Sequence, residues 1–276
     1  MRNPLLHWLF YGHIWIALAA LALSWQSTYL LTGRIDLSLH HAFVFFATLA
    51  VYTLHRMLSY RRAGGEPTGR RYRLIAGRFR ASVVVGTVSL LIALLLATSF
   101  SPMAFLPVAA ALPFTFFYLI PVYPGGPRLR DLPYLKVIWV ALAWTLMTDA
   151  FLVGPHWLSW VETPVRFLFT LSIALLFDTR DVVLDRRQGV RTLAVDFPRL
   201  NFLFAIGNLS ACALLSYWAY PGGVGVSLGT GYLVAAVIGG LTRADREEDF
   251  YATWVNGALL LPPLALLGYH LFFSTR

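Results

Sequence analysis

The sequence predicts an all-α, polytopic membrane protein built as a bundle of nine transmembrane helices. Only 13% of its 276 residues are charged, whereas soluble proteins carry about 25%. The mean hydropathy is +0.66. Two stretches, 81–100 and 102–123, run for 20 and 22 residues without a charge. Since about 20 apolar residues are enough to cross a bilayer as a helix, the chain is expected to cross it repeatedly.

The predicted spans follow the apolar runs along the chain. They are 8–31, 37–58, 81–100, 102–121, 135–153, 163–180, 200–219, 224–241 and 250–273. The span 163–180 is the least apolar of them, because Arg166 and Asp178 leave eleven uncharged residues between them. No stretch fits a separate soluble domain, so we expect one transmembrane domain over 1–276 with a polar pocket at its cytosolic side.

The basic residues predict the orientation. The N-terminus, the loops 59–80, 122–134, 181–199 and 242–249, and the adjoining helix ends carry 19 of the 22 Lys and Arg. Because basic residues concentrate in cytoplasmic loops, we expect a multi-pass protein of the bacterial inner membrane with a cytoplasmic N-terminus. The net charge of +9 then reflects topology and attraction to membrane lipids. Nucleic-acid binding is excluded, since no soluble basic surface is present.

The segment 177–195 contains the most informative pattern. Asp178, Asp181 and Asp185 are spaced i, i+3 and i+7, which places them on one face of a helix. Either neighbouring arginines neutralise this row in a surface ion-pair network, or the row holds Mg²⁺, which bridges carboxylates to substrate phosphates. The arginines that would then bind phosphate oxygens are Arg180, Arg186, Arg187 and Arg191.

The order Asp-x-x-Asp-x-x-x-Asp-Arg-x-x-Gly-x-Arg-Thr-Leu-x-Val resembles the second aspartate-rich motif of the UbiA superfamily of intramembrane prenyltransferases. The nine-span layout with the N-terminus inside is also similar. The resemblance implies that Asp178, Asp181 and Asp185 bind Mg²⁺ and an isoprenyl diphosphate and act as the catalytic residues. It also implies an aromatic or other small-molecule acceptor for the prenyl group.

The first aspartate-rich motif of that superfamily is not kept. Residues 74–78 resemble the tail of the element that follows it. Counting back, the motif should fall on His55, Arg56, Ser59 and Ala63, and none of these is a carboxylate. Cationic side chains could neutralise a diphosphate in its place. The candidates are His55, Arg56, Arg61 and Arg62.

Two further polar positions stand out. Lys136 follows a loop that resembles the one leading into the fifth span of the superfamily, so it would contact phosphate or anchor the helix end. In the same loop Arg130 and Asp131 could pair with each other. Asp149 lies within the span 135–153, where a carboxylate indicates a functional residue or a structural hydrogen bond to Thr148, Thr145 or Trp144.

These observations favour an Mg²⁺-dependent prenyltransferase that moves an isoprenyl group from a prenyl diphosphate to an acceptor within the membrane. The missing first motif leaves open a prenyl-lipid-binding protein that has lost the chemistry. A transporter or scaffold with a surface Asp–Arg network is the third possibility.

Overall fold

The computed structural model describes residues 4–62, 75–154, 156 and 159–273, and in this part of the chain it is built of helices without strands. Two of the helices contain one wider, π-helical turn each. The helices are α1 (Pro4–Tyr11), α2 (Ile14–Thr32), α3 (Leu39–Arg62), α4 (Phe79–Ala97), α5 (Leu106–Phe116), α6 (Lys136–Val153), α7 (Ser159–Arg187), α8 (Leu193–Asp196), α9 (Pro198–Ala219), α10 (Gly222–Gly240), α11 (Glu248–Ala258) and α12 (Leu261–Phe273).

The prediction of a multi-pass helical membrane protein is confirmed, but the count of nine spans is not. Six of the described helices are long and apolar enough to cross a membrane, namely α2, α3, α4, α6, α9 and α10. The pair α11 and α12 is bent by 46° and would make a seventh span if counted as one. The remaining two predicted spans correspond to α5 and α7.

The helix α5 is only 11 residues long, shorter than the predicted span 102–121. Pro107 stands at the start of the helix, where its missing N–H costs nothing. Pro113 lies inside it and removes a backbone donor, and the helix ends three residues later, at Phe116. The apolar run therefore continues as turns, not as a full transmembrane helix.

The helix α7 is longer than the predicted span 163–180, with 29 residues from Ser159 to Arg187. At 1.5 Å per residue it is about 44 Å long, whereas the hydrocarbon core is about 30 Å thick. It can therefore cross the membrane and still extend beyond it. Polar residues interrupt its apolar sequence, and they are tolerated because the bundle surrounds the helix.

The helices pack pairwise into one bundle. Neighbours include α2 with α3, α3 with α4, α6 with α7, α7 with α9, α9 with α10, and α10 with α12. The main apolar core contains fully buried side chains such as Leu23, Phe169, Leu209 and Leu228. The side chains of α4 and the outer faces of α9 and α10 are more exposed, as expected for surfaces that face lipid.

A second polar cluster lies inside the bundle, far from the motif. Arg166 is fully buried and its Nη2 donates to Glu162 Oε1 at 2.6 Å. The same carboxylate accepts from Gln26 Nε2 at 2.9 Å and from the Tyr220 hydroxyl at 3.1 Å. Buried charges are tolerated only when they are paired in this way. Arg166 and Glu162 therefore form an ion pair one turn apart on α7, and hydrogen bonds from Gln26 and Tyr220 connect that pair to the surrounding bundle.

Asp149 belongs to the same cluster, and its predicted partners were wrong. Its Oδ1 accepts from Ser27 Oγ at 2.7 Å, and its Oδ2 accepts from Thr163 Oγ1. Thr148 instead donates to the backbone of its own helix. Asp149 sits in the π-helical turn of α6, which turns its side chain toward α2 and α7. The partners come from other helices, so no local pattern could identify them.

Candidate functional site

The aspartate-rich motif occupies the last turns of α7, at the end of the bundle predicted to face the cytosol. Gly189 ends the helical path with a φ of +68°, a conformation that favours glycine. The chain then folds back, and the Tyr134 amide donates to the Arg191 carbonyl at 3.0 Å. Thr192 caps the short helix α8 by accepting from the Val195 amide. The glycine and threonine of the motif thus hold the loop against the start of α6.

Lys136 lies between two carboxylates of the motif. Its Nζ is 2.8 Å from Asp178 Oδ1 and 2.7 Å from Asp185 Oδ2. All three residues are buried, with 6%, 3% and 0% of their surfaces exposed respectively. The positions i and i+7 are two turns apart on α7, and the first residue of α6 brings the ammonium between them. A single positive charge therefore bridges two buried negative charges.

One edge of this cluster is left unsatisfied. In this cluster, Asp185 Oδ1 and Arg130 Nε are buried and have no hydrogen-bond partner among the described residues, as is also true of Arg166 Nε and Nη1 in the second cluster. The Nη2 atom of Arg130 is 3.8 Å from Asp185 Oδ1, which is an ion pair but too long for a hydrogen bond. Buried polar atoms are nearly always paired. This ion pair therefore keeps one acceptor, Asp185 Oδ1, and one donor, Arg130 Nε, that a bound polar ligand could use.

The third carboxylate, Asp181, has a cation of its own. Arg180 donates to it in a bidentate pair, with Nε to Oδ1 and Nη2 to Oδ2 both at 2.9 Å. The guanidinium also lies 4.7 Å from the Phe177 ring centroid and 5.8 Å from that of Tyr251. Cation–π contacts of this kind fix the direction of the guanidinium. Arg180 and Asp181 are therefore held together as a mostly buried pair.

The loop before α6 supplies Arg130, which the sequence analysis named only as a possible partner of Asp131. Asp131 pairs with Arg128 at 2.7 Å, not with Arg130. The hydrogen bonds from Arg128 lower the pKa of the Asp131 carboxyl although partial burial opposes this shift. Arg130 is thus free to face Asp185 and lies 5.7 Å from the Tyr118 ring centroid. Arg128 and Arg130 differ in their partners because of where the loop lies in the fold, and the sequence of the loop alone does not distinguish them.

The remaining predicted ligands occupy different places. His55 reaches the cluster indirectly, since its ring stacks on that of Tyr118 with centroids 6.4 Å apart. Arg61 lies over Phe79 and is exposed, and Arg186 is exposed on the last turn of α7. Arg56 lies one residue after His55 on α3 and is half-buried. Ala63, one of the four positions of the missing motif, is outside the described residues.

Arg191 binds within its own loop. It is 61% exposed and donates to Asp196 Oδ2 at 2.9 Å and to the Tyr134 hydroxyl at 2.6 Å. Hydrogen bonds from Tyr134 and Arg191 lower the pKa of the Asp196 carboxyl. Arg191 therefore stabilises the loop that closes the site, and its role as a diphosphate ligand stays a prediction.

The carboxylates do not form a ready-made metal cage. Within the part of the chain that is described, no three His, Cys, Asp or Glu side chains are grouped closely enough to hold a metal ion. Mg²⁺, however, is usually bound by one or two carboxylates, with waters and substrate phosphates as its other ligands. The open Asp185 Oδ1 and the nearby Asp181 meet that smaller requirement.

These features define a multi-pass helical membrane protein with a buried charge cluster at one end of the bundle.

The sequence matches no family model and no curated protein. The fold is similar to solved structures. A UbiA homologue from Archaeoglobus fulgidus bound to GPP and Mg²⁺ aligns with a TM-score of 0.63 at 15% identity, over 94% of this chain and 99% of that chain. A UbiA homologue from Aeropyrum pernix K1 aligns with a TM-score of 0.61 at 13% identity, over the full length of both chains.

A digeranylgeranylglyceryl phosphate synthase aligns with a TM-score of 0.56 at 11% identity, over 96% of this chain and 97% of that chain. At these identities the similarity establishes the fold. The chain has the UbiA fold, so the resemblance that the motif predicted is confirmed at that level.

Proposed function

We propose that the chain is an intramembrane prenyltransferase that moves an isoprenyl group from a prenyl diphosphate to an aromatic acceptor. The observation that carries this proposal is the pair of open buried atoms, Asp185 Oδ1 and Arg130 Nε, in a cluster that also contains Lys136. A diphosphate bound with a divalent cation would offer a hydrogen-bond acceptor to Arg130 and a cation to Asp185. Two solved structures with this fold, both of a UbiA homologue from Archaeoglobus fulgidus, were bound to GPP or DMAPP and Mg²⁺.

Mg²⁺ is the proposed cofactor, held by Asp185 and Asp181. When bound, it would withdraw negative charge from the diphosphate and make it a better leaving group. The ion pair with Arg130 at the open edge is made by Asp185, whereas Asp178 contacts Lys136.

The chain's own cations would stabilise the negative charge that develops on the leaving pyrophosphate. Arg130, Lys136 and Arg180 lie around the carboxylates in a site where water is largely excluded, so that fixed charges act strongly. In the proposed reaction the bond between the allylic carbon and the diphosphate oxygen breaks, and pyrophosphate leaves with the electron pair. The acceptor ring forms the new carbon–carbon bond and then loses a proton.

A second candidate is a prenyl-lipid-binding protein without transferase activity. It is favoured by one observation, the lack of carboxylates at His55, Arg56 and Ser59 on α3. With one aspartate-rich motif instead of two, the site could bind a diphosphate without ionising it. The third hypothesis, a surface ion-pair network, is disfavoured because Asp178 and Asp185 are buried.

Turnover by the purified protein in lipid nanodiscs separates these candidates. Radiolabelled geranyl diphosphate, Mg²⁺ and a panel of aromatic acceptors would be supplied to the wild type, to Asp181→Ala and to Asp185→Ala. Asp245→Ala is the matched control, since Asp245 is exposed in the loop between α10 and α11. Pyrophosphate release by the wild type and the control, but by neither site variant, supports the transferase. Binding without release supports the second candidate, and absence of binding contradicts both.

A further inference from the structure

The position of Lys136 has a consequence for the number of metal ions. Two carboxylates that lie two helical turns apart can share a divalent cation only if the space between them is open. Here the ammonium of Lys136 fills that space, at 2.8 Å from Asp178 Oδ1 and 2.7 Å from Asp185 Oδ2. These are ordinary lengths for charge-assisted hydrogen bonds, so a metal ion and the ammonium cannot occupy the gap together.

The three carboxylates of the motif also have different partners. Asp178 faces Lys136, Asp181 faces Arg180, and Asp185 faces both Lys136 and Arg130. Asp185 combines a filled oxygen, Oδ2, with a fully buried oxygen, Oδ1, that lacks a hydrogen-bond partner among the described residues and lies beside Arg130. The motif is therefore asymmetric: its first carboxylate orients a cation, and its last carboxylate has a free coordination position.

We infer that Lys136 replaces a metal ion, so that the site binds its diphosphate with a single divalent cation and a built-in ammonium. In this arrangement Asp178 is a positioning residue that holds Lys136, and Asp185 is a metal ligand through Oδ1. The inference rests on the proposed function and specifies how that site recognises its substrate. It is also consistent with α3, where His55 and Arg56 stand at positions that have lost carboxylates, because fewer metal ions need fewer acidic ligands.

Metal stoichiometry tests this inference without relying on turnover. Mn²⁺ would replace Mg²⁺, and its binding to the purified full chain would be measured by electron paramagnetic resonance. The measurement would be made with saturating geranyl thiolodiphosphate, which resists ionisation. The wild type is expected to bind one Mn²⁺ per chain. Asp185→Asn is expected to lose it, whereas Asp178→Asn should keep it, with an affinity change within about the tenfold to hundredfold range of residues that act through a ligand.

Lys136→Met provides the complementary test, because it opens the gap between Asp178 and Asp185 and should allow a second Mn²⁺ to bind. Lys136→Arg is the matched control and should remain at one. Asp178→Asn keeps an amide oxygen facing Lys136. Comparing Mn²⁺ binding by Asp178→Asn and Asp185→Asn therefore tests the single-cation site even if Lys136→Met does not fold.

Two outcomes would overturn the inference while leaving the proposed function intact. One is a wild type that binds two Mn²⁺ with the analogue. The other is an Asp178→Asn variant that loses Mn²⁺ as completely as Asp185→Asn. Failure of the wild type to bind the analogue at any Mn²⁺ concentration is a separate result, which would contradict the proposed function and, with it, this inference.

Discussion

At the scale of single residues, the site depends on charges that are buried but paired. Removing a carboxylate from water costs several kcal/mol, and only close, well-directed partners offset that cost. Lys136 meets this requirement for Asp178 and Asp185, and Arg180 meets it for Asp181. The charges left without full hydrogen bonding lie at one edge of the cluster, where the substrate is proposed to bind.

Arg180→Lys tests whether the geometry of this cation matters beyond its charge. Lysine cannot reproduce the bidentate pair with Asp181 or the stacking on Phe177. We expect Arg180→Lys to bind the diphosphate analogue roughly tenfold to hundredfold more weakly than the wild type. This range corresponds to the loss of one charge-assisted hydrogen bond, about 1.5–3 kcal/mol. Binding of geranyl thiolodiphosphate would be measured by isothermal titration calorimetry.

The matched control for that variant is Arg199→Lys, because Arg199 is exposed at the start of α9 and is not among the proposed phosphate ligands. Its affinity should equal that of the wild type. If Arg180→Lys and Arg199→Lys bound equally well, Arg180 would contribute only its charge.

At the scale of secondary structure elements, α7 carries both polar clusters. Its last turns present the aspartate-rich motif, and its first turns present Glu162 and Arg166 to the interior of the bundle. The second cluster connects α7 to α2 through Gln26 and Ser27. We infer that this buried cluster fixes the rotation of α7, and thereby the direction in which the motif points.

Arg166→Met should strongly destabilise the bundle, because it leaves Glu162 buried without its cation. Breaking a buried pair on one side costs about 3–5 kcal/mol. Adding Glu162→Gln should recover part of the loss, since the second charge is then also removed. The free energy of unfolding would be measured in mixed micelles, with Arg243→Met, at an exposed arginine, as the control. If Arg166→Met alone were as stable as Arg243→Met, the buried cluster would not fix the position of α7.

The packing of α10 against α12 depends on a glycine. A Cβ added at Gly231 would lie 2.6 Å from Pro262 Cα, a backbone atom that cannot move independently. Gly231→Ala is therefore expected to lower the free energy of unfolding by about 1–3 kcal/mol. Gly240→Ala, on the same helix, meets nothing within 4 Å and should be neutral or stabilising by up to about 1 kcal/mol. Equal unfolding midpoints for the two variants would contradict this packing.

At the scale of the whole molecule, the proposed mechanism needs the charge cluster on one side of the membrane and an apolar bundle for the prenyl tail. The orientation predicted from the basic residues places the cluster in the cytosol. Cys212 is the one cysteine of the chain and is fully buried, so new cysteines can report on topology in an otherwise unreactive background.

Two exposed positions are suitable for a new cysteine: Asp36, between α2 and α3, and Asp245, between α10 and α11. The variants are Asp36→Cys and Asp245→Cys. In intact cells a membrane-impermeant maleimide should label Asp36→Cys but should label Asp245→Cys only after the cells are opened. The reverse pattern would invert the orientation and place the site outside the cell.

Composition was sufficient to predict the class of the fold, because apolar runs are a local property of the sequence. Helical spacing placed the three carboxylates of the motif on one face of a helix, and their role as site residues stays a prediction. The long-range pairings could not be predicted in the same way. Nothing near Asp149 in the sequence indicates Ser27 as its partner. In the loop before α6 the sequence suggested that Arg130 and Asp131 could pair, whereas the structure pairs Asp131 with Arg128. The shortness of α5 was also missed, since hydropathy counts proline-rich turns and helices alike.

The central claim is that the cluster around Asp185 is a prenyl diphosphate site. Its most direct test is equilibrium binding of tritiated geranyl diphosphate to the purified wild type and to Asp185→Asn, each with Mg²⁺ and with a chelator. We predict saturable, Mg²⁺-dependent binding by the wild type and a loss of about 2–5 kcal/mol of binding free energy in the variant. Equal binding by the two proteins, or no binding by the wild type, would contradict the claim.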